Sequence, residues 1–134
     1  MAQAKTLTPD ELEQVLAFIG TKKYAERNRC MLLLTHYAGL RVGEVACLRW
    51  QDVVNGDGSI KEEIRLLPDM TKGRHARTVF VSNKLREELQ AYVTNTKCVN
   101  RTYPLFASQK SIKSGFSANS LGQTLTQLYL SAGI

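Results

Sequence analysis

Gly39-Leu40-Arg41-Val42-Gly43-Glu44-Val45-Ala46-Cys47-Leu48-Arg49-Trp50, with Asp52 close behind, is the stretch on which the reading of this chain turns. Residues 31–38 just before it are apolar on nearly every side, which predicts a central, fully buried helix. Gly39 is placed to end that helix in the left-handed conformation that glycine adopts cheaply. A second, short helix is then predicted to begin near Arg41. Arg41 and Glu44 are three apart and share a helix face, so Glu44 is expected to hold the Arg41 guanidinium in a fixed direction. A guanidinium held in this way can give two parallel hydrogen bonds to phosphate oxygens and keeps its charge near neutral pH. The same spacing also describes an ordinary surface ion pair, worth about 0.2–0.5 kcal/mol.

Toward the N-terminus, Thr8-Pro9-Asp10-Glu11 combines a capping threonine, a proline in the first turn and a glutamate at the third helical position. Leu12, Val15, Leu16 and Ile19 follow as the stripe of a helix with one buried face, ended by Gly20. Residues 21–29 carry Lys22, Lys23, Arg27 and Arg29, read either as a solvated charged face or as a rest for a phosphate backbone.

Toward the C-terminus the helical period stops after Asp52, and Asn55-Gly56-Asp57-Gly58 signals a turn. Residues 60–67 and 76–81 are predicted strands, the second marked by β-branched and aromatic Thr78-Val79-Phe80-Val81. Pro68 weakens the ladder between them, and Thr71-Lys72-Gly73-Arg74-His75 makes a basic tip. Ser82 is predicted to cap a helix buried through Leu85, Leu89 and Tyr92. Residues 95–113 are polar and irregular around Tyr103-Pro104-Leu105-Phe106, and Lys110 and Lys113 read as a basic loop or a further contact to an anionic partner. Ser117 or Asn119 caps a last helix with Leu121, Leu125 and Leu128 on one side and Gly133 as its stop. The fold class is α+β: a mainly helical single domain with a small antiparallel β-hairpin inserted.

Composition narrows the partners. The 134 residues are 43% hydrophobic and 22% charged, the profile of a globular domain, and a net charge of +6 favours an anionic partner, nucleic acid before membrane surface. No stretch has the length and apolarity of a membrane helix or the apolar core of a secretion signal, so a cytoplasmic protein is expected. Cys30, Cys47 and Cys98 are widely spaced and odd in number, which predicts free thiols serving as small core residues. His36 and His75 lack ligand spacing, and neither a metal nor another cofactor is expected.

The opening stretch resembles the first arginine box of the tyrosine recombinases, the family of phage integrases and chromosome-dimer resolvases, whose recurring form is G-L-R-x-x-E-x-x-x-L-x-W-x-D. Gly39, Leu40, Arg41, Glu44, Leu48, Trp50 and Asp52 match it. The segment from Thr71 to Val79 resembles the family's hairpin, with Lys72 at the position of its catalytic lysine, and Tyr103 to Phe106 resembles its P-L-F connection. The resemblance implies a DNA breaking and rejoining fold acting on double-stranded DNA. In that chemistry a tyrosine attacks the scissile phosphate, arginines hold its oxygens and a lysine protonates the leaving 5′ oxygen. It implies catalytic roles for Arg41, Glu44 and Lys72, and DNA contact through Arg41, Lys72, Arg74, His75 and Arg77.

The family's pattern continues with an H-x-x-R box and a nucleophilic tyrosine, neither of which is found here. Gly39 stands three after His36 and Thr78 three after His75, and Tyr129 reads as a packing or surface tyrosine on the last helix. The expectation is therefore a partial catalytic domain over 1–134, without the core-binding domain and the last catalytic helices, inactive alone and prone to self-association or pairing with recombinase subunits. Two alternatives stay open: a non-catalytic remnant that binds DNA or a partner, and a basic helical interaction domain unrelated to DNA.

Overall fold

The structure is a computed structural model that describes residues 7–70, 75–98, 100–108, 110–111 and 113–134. Its helices are α1 (Pro9–Gly20), α2 (Ala25–His36), α3 (Val42–Cys47), α4 (Trp50–Val53), α5 (Asn83–Thr96) and α6 (Ala118–Ser131). Between α4 and α5 stand strands β1 (Glu63–Leu66) and β2 (Arg77–Phe80), with a 3-10 turn at Pro68–Met70. The strands pair antiparallel, Glu63 opposite Phe80 and Leu66 opposite Arg77, as the hairpin reading requires.

Residues 31–34 are 0–1% exposed, so α2 is buried on every side there. It packs against α1, α3 and α5, while α6 closes on α3 and α1. Local chemistry starts each element as read. Thr8 accepts from the Glu11 amide and Glu11 from the Thr8 amide, at 3.2 and 3.0 Å. Ser82 and Ser117 cap α5 and α6 by accepting from the amides of Leu85 and Ser120. The buried line of α5 is Leu85, Leu89, Tyr92 and Val93. On α6 it is Leu121, Leu125 and Tyr129, a line of i, i+4 neighbours that leaves Leu128 to one side and only half-buried.

Two sequence expectations change. Cys30 is a core residue whose thiol donates to Glu88 O, but Cys47, the last residue of α3, and Cys98, just past the end of α5, are exposed. The basic run 21–29 is not one solvated face. Lys22 and Lys23 stay outside over the rings of Phe18 and Tyr24, Arg29 pairs with Glu88 at 2.7 Å, and Arg27 is only 6% exposed. Its guanidinium lies over the rings of Tyr24 and Phe116, 4.4 and 4.9 Å from their centroids, and donates to Asn28 Oδ1 and Ala107 O at 3.0 and 3.1 Å. Cation–π contact with two rings and hydrogen bonds replace water there, while burial pulls its pKa below the usual arginine value.

Candidate functional site

Where α2 ends, Tyr37 still bonds Leu33 O, and Gly39 then turns the chain at φ +69°. Leu40 N–H reaches back to Leu34 O at 3.2 Å, and the Leu40 side chain is 3% exposed, so the turn is anchored in the core on its far side. Arg41 follows in extended conformation, φ −80° and ψ 155°, as the residue that caps α3. Its side chain is exposed, and among the described residues its guanidinium makes no hydrogen bond or ion pair. The cation is thus presented to solvent from a backbone that is held on both sides.

Glu44 does the holding by a route the spacing alone did not reveal. It is 3% exposed, and its Oε1 accepts the Arg41 backbone N–H at 2.8 Å, half of a capping box at the start of α3. The expected bond from Glu44 to the Arg41 guanidinium is absent. The same Oε1 instead receives Nη2 of Arg77, 2.5 Å away, and that nitrogen also donates to Gly39 O at 3.3 Å. The reason is geometric: the N-cap amide points into the first turn, where a glutamate at the third position meets it, while the N-cap side chain leaves outward. Asp52 repeats the arrangement one element later, accepting the Arg49 amide at 2.9 Å at the start of α4.

Arg77 therefore belongs to the arginine turn although it sits on β2. No local pattern could have found this, because 33 residues separate the two partners. Its guanidinium remains partly open, with the side chain 43% exposed. Lys72 and Arg74 lie outside the described residues. Both flanks of their segment come to the same place: the 3-10 turn at Pro68–Met70 packs against α3, and Arg77 reaches Glu44 and Gly39. His75, between Arg74 and Arg77, is exposed.

The end of the same motif is buried and hydrogen-bonded. Leu48 is 1% exposed and Trp50 5%, and the connection after α5 runs antiparallel beside them, Leu105 N–H to Leu48 O at 2.9 Å and Trp50 N–H to Tyr103 O at 3.2 Å. Tyr92 donates its hydroxyl to Leu105 O at 2.7 Å and stacks on Trp50 with ring centroids 6.2 Å apart. Burial pushes its pKa up to about 12. Tyr129 is 8% exposed and its pKa is likewise raised by burial, so it is a packing tyrosine. Among the described residues no group of three or more His, Cys, Asp or Glu side chains is arranged to hold a metal ion, and no helix is long and apolar enough to cross a membrane.

Comparison with known proteins identifies the family and the fold. The profile of the phage integrase family matches residues 5–134. A tyrosine recombinase from Pseudothermotoga lettingae is 33% identical over 106 residues, which cover 79% of this chain and 34% of the relative. Transposase A from transposon Tn554 of Staphylococcus aureus is 34% identical over 86 residues, 62% of this chain and 23% of the relative. The chain thus spans about a quarter to a third of the length of these relatives. The crystal structure of XerA recombinase superimposes with a TM-score of 0.73 at 20% identity, covering 98% of this chain and 43% of that one, and so shares its fold. With the arginine box on a buttressed turn and the family profile matched along almost the whole length, this chain belongs to the phage integrase family.

Proposed function

We propose that this chain is part of the catalytic domain of a site-specific DNA recombinase and contributes the first half of a phosphate-holding site. The observation that carries the reading is Arg41, an exposed guanidinium without a partner among the described residues, on a backbone fixed by buried Glu44 and the Gly39 turn. A cation left open in this way is available to an anion, and a pre-aimed donor stabilises charge developing on phosphate without reorganising. Loss of one such donor typically costs about a hundred- to a thousandfold in rate.

Lys72 is assigned as the general acid. Support comes from its place in the hairpin sequence and from the docking of both flanks of its segment at the arginine turn. Arg74, His75 and the open part of Arg77 extend the basic surface toward double-stranded DNA. The 134 residues by themselves are expected to hold duplex without cutting it, since Tyr129 is packed in the core and no H-x-x-R box is present. Strand cleavage through a phosphotyrosine link requires groups from outside these 134 residues, and pairing with recombinase subunits, or self-association, is proposed alongside DNA binding. Cleavage takes place in the cytoplasm with the DNA, and without a metal or other cofactor.

The test is the affinity for a mixed-sequence DNA duplex as a function of salt. Each phosphate contact contributes about −0.9 to the slope of log affinity against log salt. A steep slope that becomes shallower by about 0.9 in Arg41→Ala is expected. Affinity that does not respond to salt, or an Arg41→Ala protein with unchanged affinity and slope, would refute the assigned surface.

A further inference from the structure

We propose that Arg77 is a positioning residue, which fixes where Arg41 points by acting through Glu44, and that its contribution to DNA binding is this placement more than a phosphate contact of its own. The inference rests on the DNA reading of Arg41 given above. One carboxylate oxygen, Glu44 Oε1, serves two donors: the Arg41 backbone N–H at 2.8 Å and Arg77 Nη2 at 2.5 Å. Glu44 is 3% exposed, so without Arg77 it would be a buried carboxylate lacking a countercharge, a costly state relieved when the side chain swings toward water. That movement would release the Arg41 amide. The second bond from Nη2, to Gly39 O at 3.3 Å, ties the same guanidinium to the turn on the other side of Arg41. Arg77 thereby connects β2 to both ends of the short backbone segment that carries the phosphate-holding side chain, so hairpin and arginine box keep one relative placement.

Charge alone makes the opposite forecast, which gives a clean test. Glu44→Gln removes a negative charge and no cation, so by net charge it should leave DNA binding unchanged or strengthen it. If Glu44 and Arg77 act through Arg41, Glu44→Gln makes the salt slope shallower by about 0.9, as Arg41→Ala does, and the double variant loses nothing further. The experiment uses the full 134-residue chain and a fluorescein-labelled duplex, well below the thermal midpoint of each variant. Amide NMR monitors the Arg41 N–H, which shifts in Glu44→Gln if its acceptor is lost.

Arg77→Lys is the second variant and keeps the charge balance. A lysine is a competent point-charge contact to phosphate, so an Arg77 that touches DNA directly would leave the slope unchanged on this substitution. A positioning Arg77 would lose about 0.9 from the slope and shift the Arg41 amide, because the compact ammonium does not reproduce the guanidinium geometry. A steep wild-type slope that neither variant alters overturns the assignment of Arg77 and leaves the DNA reading standing. A flat wild-type titration overturns both. A lower thermal midpoint with unchanged slope and unchanged Arg41 amide would make the Glu44–Arg77 pair structural only, and would also overturn the proposal.

Discussion

Replacing Gly39 by alanine isolates the backbone cost of the turn that presents Arg41. Gly39 has φ +69°, and a Cβ built there meets no heavy atom within 4 Å, so no steric clash with the rest of the fold enters. What remains is the left-handed conformation, which costs an L-residue about 1–2 kcal/mol. Gly39→Ala should therefore lower the unfolding free energy by about 1–2 kcal/mol, and Gly39→Asn by less, since asparagine tolerates this region. Two other glycines calibrate the result. Gly20 ends α1, has no positive φ and equally open surroundings, so Gly20→Ala should stabilise by about 0.4–1 kcal/mol. Gly115 also lacks a positive φ, but its Cβ would lie 3.0 Å from Pro104 Cβ, so Gly115→Ala should destabilise through contact alone. Urea unfolding followed by the fluorescence of Trp50, the single tryptophan and 5% exposed, measures all four variants. If Gly39→Ala proves neutral or stabilising, or costs as much as a core cavity, the turn is not held as described and the argument for a fixed Arg41 fails.

Buried acids that are neutral when protonated are expected to weaken the fold at alkaline pH. The Tyr92 pKa is raised to about 12, and those of Tyr129 and Cys30 are also raised, all mainly by burial. A pKa raised on folding gives stability that is full below the unfolded value and lost as pH climbs toward the folded one. For Tyr92 that window runs from about 10, the unperturbed tyrosine value, to about 12. Tyr92→Phe should cost about 1 kcal/mol near neutral pH through the lost bond to Leu105 O and make the alkaline decline shallower; an unchanged decline in a pH series of urea midpoints would contradict this. Arg27→Lys should destabilise by about 1–3 kcal/mol, because the ammonium cannot stack on Tyr24 and Phe116 while donating to Asn28 and Ala107. Full retention of the thermal midpoint in that variant would show that the stacking carries no energy.

The sequence by itself determined the elements and the family. Thr8, Ser82 and Ser117 are caps whose partners lie three residues away, so they act before any tertiary contact exists. The apolar stripes of α1 and α5 and the hairpin between α4 and α5 follow from periodicity and turn residues in the same local way. The box around Arg41 was legible for the same reason, since Gly39, Arg41 and Glu44 are neighbours on one turn. Tertiary structure decided how that box is used. Glu44 accepts the Arg41 amide and the Arg77 guanidinium, where spacing suggested the Arg41 guanidinium, and Arg27 moved from an apparent basic face into contact with two aromatic rings. In both cases the partners, Arg77 for Glu44 and Phe116 with Ala107 for Arg27, lie tens of residues away. Charge and periodicity report which side chains are near along the chain, whereas burial obliges each charged group to find whichever partner the packed elements bring within reach.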